Sequence, residues 1–474
     1  MTLRSLLKPL LPALLLATTA PLPAATGGES RSLDAVSYFS ALSNLASPIM
    51  FGGFGEPLIT SPYERDQWLR RAGFVTRPPM PDIPVVGAVY RSALPVFRQT
   101  PDYSRPETLA WDDSTFDRTL DPGAQAWTLI KITSPRFHLQ FHDLPDNRLA
   151  ALMMVPQARE QAGVLAGRLR DADGLFAPRG PDGSFQAATP ADQAAVLWGA
   201  SNLILAATRD SGDYWHQAYR DLVDADDYRP LADSALQALD RLPPTTAPDL
   251  AIAIEALGRY TLIAADAGKR DRARARARDY GNRLQRAGTR GTTDLAAAIY
   301  GLTEAGRLLG DDGFGAAAGR LSGELLGRWE PEQGLFRNGT GEYTPRDIGF
   351  LAAALNAMRW YGRGDVAERA GRLHPRFLQG MILDSGLLRA SPRALISPPY
   401  LQNPTVAAFD RLPDPAQLGQ APVFVSRVRR QEGGWQVTDP RFSMAGAQFL
   451  GNMLALRTGG EADIFLPPEL LDGE

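Results

Sequence analysis

Residues 344–358 read "TPRDIGFLAAALNAM", and residues 189–203 read "TPADQAAVLWGASNL". Both stretches open with Thr-Pro-x-Asp and run on into small and apolar residues. Each letter of the opening suits the start of a helix. The Thr344 hydroxyl can accept a hydrogen bond from a free N–H of the first turn, and Pro345 suits a position where no donor is needed. Asp347, three residues after the cap, completes a capping box and complements the positive end of the helix dipole.

Thr189, Pro190 and Asp192 repeat the device, and Thr246 with Asp249 repeats it with Pro248 shifted by one position. "GTTDLAAAIYGL", from Gly291 to Asp294 and onward, is a weaker version. Asp121 in "DPGAQAWTLI" and Asp439 in "DPRFSMAGAQFL" put Asp at the cap instead of Thr. The six starts are 68, 57, 45, 53 and 95 residues apart. Amphipathic segments lie between them, at 148–169, 232–240, 265–284, 315–329 and 366–379. The runs after the caps are apolar on most sides and suit burial. The intervening ones, such as "GKRDRARARARDYGNRL", are charged and suit a solvated outer layer. A spacing of this size per helix pair marks a helical repeat.

A second echo follows the outer segments. "DADGLF" (Asp171 to Phe176), "EPEQGLF" (Glu330 to Phe336) and "DSGLL" (Asp384 to Leu388) each place Gly before an apolar pair. Gly there allows a left-handed turn, and the apolar pair folds back onto the core.

Six inner helices alternating with outer ones describe an all-α chain, an (α/α)6 toroid of helical hairpins. Here residues 121–457 resemble the six-hairpin glycosidase-like superfamily of glycosidases, polysaccharide lyases and sugar epimerases. The resemblance rests on the periodicity, the repeated caps and the Gly-Leu-Phe loops. It implies a ligand site at one mouth of the barrel, built from the loops that precede the inner helices. An open α-solenoid uses similar helix pairs; long loops on one side favour closure.

The expected organisation is a signal peptide at 1–25, an N-terminal arm at 26–120 and the toroid at 121–474. The arm holds one helix ("SLDAVSYFSALSNL") and a Pro-rich extended tract, and its helix can partner the sixth inner helix. An insertion at 392–438 contains "APVFVSRVRRQEGGWQV", which alternates like a β-hairpin around Gly433-Gly434. "MTLRSLLKPLLPALLLATTAPLPAAT" has Arg4 and Lys8, an apolar stretch and small residues before a cut near Ala24 or Ala25. Pro9 and Pro12 make it a poor membrane span. A periplasmic or secreted protein with no transmembrane segment in the mature chain is expected.

The 474 residues carry a net charge of −3, which argues against a nucleic-acid partner. With no Cys there is no disulfide, thiolate metal site or cysteine nucleophile. No Gly-rich phosphate loop or nucleophile elbow occurs, so no cofactor is indicated.

Glycoside hydrolysis needs two carboxylates facing across a sugar, one of them held protonated. The expected mouth loops supply Asp173, Glu332 and Asp384, and His142 is a fourth catalytic candidate. Asp192, Asp249 and Asp347 are assigned to capping. Trp215, His216, Tyr343 and Trp435 are candidates for contact with a sugar, while Trp198, mid-helix, reads as core. In "RFHLQFHDLPDN", His138 and His142 are four apart, a spacing that on a helix can hold a metal, although no Glu follows His138 and Pro135 interrupts the run.

Two functions stay open at this point. One is an exported carbohydrate-active protein, a glycoside hydrolase or polysaccharide lyase acting on an oligosaccharide in the mouth. The other is a non-catalytic periplasmic binding or assembly component with a protein partner, favoured by strong architectural signals without a catalytic signature.

Overall fold

The computed structural model describes residues 28–76, 85–102, 105–134, 145–286, 291–392 and 412–455. The twelve helices of the ring are, in chain order, α1 (Gly28–Ala46), α2 (Pro122–Ile132), α3 (Met154–Arg168), α4 (Pro190–Thr208), α5 (Ala225–Arg241) and α6 (Ala247–Ile263), followed by α7 (Ala267–Arg286), α8 (Thr292–Leu309), α9 (Asp312–Leu326), α10 (Pro345–Tyr361), α11 (Asp365–Leu378) and α12 (Met444–Ala455). The even-numbered helices pack each on the next, and α12 packs back on α2, so the inner ring is closed. Each odd-numbered helix covers one inner helix: α3 on α2, α5 on α4, α7 on α6, α9 on α8 and α11 on α10. The helix α1 covers α12. This is an (α/α)6 toroid, and an open solenoid is excluded because the first and last hairpins touch.

The two layers differ as their sequences require. Inner helices are buried nearly all round: Ala352, Ala353 and Ala354 of α10 and Ala296, Ala297 and Ala298 of α8 are all fully buried. Small residues let the inner backbones approach. A Cβ on Gly301 of α8 would lie 2.9 Å from the Ala251 Cα of α6, so only Gly fits that crossing. Outer helices bury one stripe; α7 buries Ala273, Ala277, Tyr280 and Leu284 and turns its arginines outward.

Halfway down the barrel the rings of Trp127 (α2), Trp198 (α4), Phe350 (α10) and Phe449 (α12) meet. Trp127 sits edge-to-face on Trp198 at 5.4 Å and on Phe449 at 4.9 Å, and Phe350 contacts Phe449 at 4.9 Å. These residues lie five to eight positions beyond the first residues of their helices, about 8–12 Å below the helix starts at 1.5 Å per residue. They form an aromatic floor. Beneath it Arg259 donates to Glu255 at 2.8 Å, with Glu304 alongside. Burial and the neighbouring Glu255 charge hold the Glu304 carboxyl well above the usual carboxylate range.

Among the described residues nine short strands decorate the ring. β2 (Val86–Ala93) pairs antiparallel with β1 (Gly55–Pro57), with β3 (Asp117–Leu120) and with β9 (Phe442–Ser443). β4 (Trp329–Glu330) pairs with β5 (Leu335–Phe336). β6 (Glu342–Tyr343) pairs with β7 (Arg427–Gln431), and β7 forms the hairpin that the alternation predicts with β8 (Gly434–Asp439), turning at Glu432 and Gly433 so that Gly434 already pairs with Gln431. The sixth helix start is displaced. Asp439 ends β8 with its carboxylate on Arg441, and α12 begins only at Met444, after β9. The Gly-Leu-Phe echo holds: Gly174, Gly334 and Gly386 all have positive φ, and Phe176, Phe336 and Leu388 are fully buried. Among the described residues no helix is long and apolar enough to cross a membrane.

Candidate active site at the mouth of the barrel

The turns at 264–266, 310–311 and 362–364 are too short for anything but antiparallel neighbours, so outer helices run back and the inner helices all start at one end of the barrel. That end is the mouth. Its wall is high where β3 enters α2, where 169–189 precedes α4, and where β4 to β9 precede α10 and α12. It is low at 242–246, before α6. The mouth gathers the positive ends of six helix dipoles.

The repeated Thr-Pro-x-Asp starts are not equivalent once folded. At α10 the box closes: the Thr344 hydroxyl accepts from Asp347 N, and Asp347 Oδ2 accepts from Thr344 N at 2.9 Å. At α4 and α6 the threonine caps the helix, but neither carboxylate returns to the cap backbone. Asp249 Oδ1 instead accepts from the Arg346 guanidinium of α10 at 2.5 Å. Asp192 Oδ2 accepts from the Thr189 hydroxyl at 2.7 Å. Asp192 Oδ1 lies over Gly123, only 2.5 Å from where a Cβ would stand, and Asp121 Oδ1 is 3.1 Å from the same point. Gly123 is thus the space into which two carboxyl groups from α2 and α4 converge.

The flanking groups decide which carboxyl carries a proton. Asp121 accepts from Ala124 N at 3.0 Å and from Arg91 Nε at 3.3 Å. Asp249 is held by Arg346. Asp192, between them, has no ion pair among the described residues. Burial first, then the charge of Asp121, raises its carboxyl to about 7; the Thr189 hydrogen bond and Arg346 oppose the rise, and Asp249 adds to it. A carboxylic acid half-protonated near neutrality, beside two arginine-paired carboxylates, is equipped for proton transfer.

Asp173 and Glu332 lie on exposed turns and Asp384 ends the π-helical turn Gln379–Asp384, each exposed in a different segment at the same end of the molecule, and they do not meet. The Asp173 carbonyl accepts from Arg241, and Asp384 Oδ1 accepts from Gln379 at 2.6 Å. Tyr343 and Trp435 do come together, with ring centroids 5.7 Å apart. The Tyr343 hydroxyl donates to the Phe336 carbonyl at 2.8 Å, and burial pushes its phenol up to about 12. Arg430 covers the Trp435 ring at 5.8 Å.

Trp215 and His216 lie at the opposite end, past the C-terminus of α4, at the start of a short helix (Tyr214–Leu222). Trp215 is fully buried against Tyr219, and His216 Nδ1 lies 2.6 Å from both Asp213 Oδ2 and Ser211 Oγ. Burial pushes the Asp213 carboxyl up, but the His216 and Ser211 hydrogen bonds outweigh it and hold the group below the usual range. His138 and His142 lie outside the described residues. Among the described residues no group of three or more His, Asp or Glu side chains is arranged to hold a metal ion.

A cleft of about 480 Å³ also opens at the far end, lined by Thr303, Arg307, Asp311, Met358 and Tyr361 among others. Its threonine and serine hydroxyls are spent on their own helices: Thr303 donates to the Ile299 carbonyl and Ser322 to the Ala318 carbonyl, each at 2.8 Å. The carboxyls that converge over Gly123, Asp121 and Asp192, are at the mouth instead. Sequence reasoning named Asp192 and Asp249 but spent them on capping. Nothing in the local sequence distinguishes them from Asp347, because the difference lies in Asp121, Arg91 and Arg346, which come from other elements.

No family model and no curated protein matches the chain. Among solved structures it is similar to a sugar epimerase from a ruminal bacterium, at 10% identity over 77% of this chain and 92% of that one, with a TM-score of 0.45. It is also similar to a Bacteroides ovatus GH9 protein, at 10% identity over 89% of this chain and 82% of that one, with a TM-score of 0.42.

Proposed function

We propose that the mouth is the active site of an exported carbohydrate-active enzyme, a glycoside hydrolase acting on an oligosaccharide. The observation that carries this reading is the Asp192 carboxyl, raised to about 7 between two carboxylates that arginines hold. Asp192 is the general acid: it gives its proton to the glycosidic oxygen as the bond to the anomeric carbon breaks. Asp249 is the partner carboxylate, because Asp121 has both oxygens engaged whereas Asp249 has an oxygen without a hydrogen-bond partner among the described residues. A water attacks the anomeric carbon and loses its proton to Asp249, which restores both groups after a proton exchange with solvent. Export rests on the N-terminal segment described above, with its basic start, apolar stretch and small residues.

The test is turnover of a panel of neutral, acidic and amino-sugar oligosaccharides by the wild type, Asp192→Asn and Asp249→Asn. Expected is release of reducing ends by the wild type and at least about a hundredfold loss in each variant with an unchanged circular dichroism spectrum. Wild-type turnover in Asp192→Asn overturns the assignment of the acid, and no processing of any glycan overturns the reading and restores the binding or assembly role.

A further inference from the structure

The wall above α10 carries a cation that the catalytic proposal does not use. Arg430 lies on β7, which pairs with β6 through Glu342↔Arg429 and Tyr343↔Val428. β6 leads into α10 at Thr344, so Arg430 stands on the wall over the helix start from which Arg346 projects. Its neighbours on the strand, Arg429 and Arg427, share the Glu342 carboxylate. Arg430 does not. Its Nε donates to the neutral Gln333 amide at 2.8 Å and its guanidinium lies over Trp435, and among the described residues it has no carboxylate partner. It is also half-buried, which makes an uncompensated charge costly unless something arrives to pair with it.

Arg346 has spare capacity too. It bonds one oxygen of Asp249 and rests over Phe350 at 5.9 Å, with its side chain 46% exposed. A guanidinium has five N–H donors, and most of these remain available on the mouth side. Arg346 starts on α10, directly across the ring from α4, and still acts on Asp192. It therefore lies across the opening. Of the acidic groups nearby, Asp121 is matched by Arg91 and Asp192 carries a proton over much of the neutral range, while Asp249 takes one donor of Arg346 and leaves Arg430 as the uncompensated cation of the two. Six helix N-termini add positive potential at the same place.

We propose that the mouth is specific for acidic sugars, glycans bearing carboxylates, with Arg430 and Arg346 as the recognition groups and Trp435 as the stacking surface beside them. The planar fork of a guanidinium matches a carboxylate in two parallel hydrogen bonds, which a neutral hydroxymethyl group cannot make. Rest the ring of such a sugar near Trp435 and its carboxylate meets Arg430, while the carboxylate of a neighbouring unit meets Arg346 nearer the floor. The inference rests on the catalytic reading of the same mouth, but it is tested by binding and not by turnover.

The experiment is calorimetric titration with α- and β-1,4-linked tri-uronates and with their methyl esters, which keep the linkage and shape and lose the charge. Asp192→Asn serves as the parent, so that nothing is consumed. Expected is binding of at least one tri-uronate about tenfold or more tighter than its ester, with that preference lost in Arg430→Gln and partly kept in Arg430→Lys. Gln at position 430 removes no carboxylate's partner, and a thermal melt within a degree or two of the parent shows that the wall is intact. Equal binding of acid and ester overturns acidic specificity while leaving a carbohydrate site standing. A preference that survives in Arg430→Gln and in Arg346→Gln overturns the assigned residues. A sulfated neutral trisaccharide that binds as well as the uronate overturns the restriction to carboxylates. Binding of none of these probes overturns this inference, and the turnover panel then decides separately whether the mouth is catalytic.

Discussion

At the scale of single residues, the central group is Asp192. A carboxyl raised to about 7 in the fold, against about 3.9 in an unfolded chain, binds its proton more tightly when folded. Its contribution is therefore fully present below about pH 4 and is lost as pH rises through about 7. Asp192→Asn removes that liability while keeping an acceptor for the Thr189 hydroxyl. Relative to the variant, the wild type should lose about 2–4 kcal/mol between pH 4 and pH 8, seen as melting temperatures that diverge with rising pH. The same ionisation should end activity on the alkaline side: kcat/KM falls above about pH 7 if Asp192 must deliver a proton. A flat profile from pH 6 to 9 would remove it from the mechanism. None of this was legible in "TPADQ", where the Asp looks like a helix cap. The environment that raises its pKa is burial together with the charges of residues 121 and 249, opposed by Arg346, and only folding brings these together.

Among the elements, the helix starts were the readable part and their consequences can be measured. Thr344→Ala removes the hydroxyl half of the capping box at α10, leaving the Asp347 carboxylate on the N–H of residue 344, and should cost about 1 kcal/mol by denaturant unfolding. Thr246→Ala, where the carboxylate already serves Arg346, should cost less. Gly301→Ala tests the closeness of the inner layer. Its methyl would meet the Ala251 backbone and the Leu284 side chain, and should destabilise by about 1–3 kcal/mol despite the better helix propensity of Ala. The alternation in "RVRRQEGGWQV" also announced a local hairpin correctly, since both strands and the turn are contiguous. The sheet around β2 was illegible for the opposite reason. Its strands come from residues near 55, 90, 118 and 442, and two of them are two or three residues long. For the same reason the start expected at Asp439 slid to Met444: pairing of β9 with β2 holds residues 442–443 extended until the helix can begin.

For the molecule as a whole, closure is the property that matters. In an open array of hairpins each unit touches only its neighbours, and loss of a terminal one is tolerated. Here α1 covers α12 and is stitched to distant chain: Asn44 Oδ1 accepts from Phe424 N at 2.8 Å, the Asn44 carbonyl accepts from Gln448 at 2.7 Å, and Ser43 donates to the Pro422 carbonyl at 2.5 Å. Deleting residues 28–46 should therefore abolish a single cooperative unfolding transition, rather than trim a fraction of its enthalpy, as calorimetry would record. The seam has a further consequence. Because the first helix of the ring lies against the last, the order in which the chain visits the twelve helices is separable from the shape they make. The ends could be joined by a linker and new ones cut at 264–266 or 310–311, on the face away from the acids, to give a circular permutant with the same mouth. Such a permutant would make α7 or α9 the first helix to emerge in synthesis and bring α1 and α12 together early, as chain neighbours.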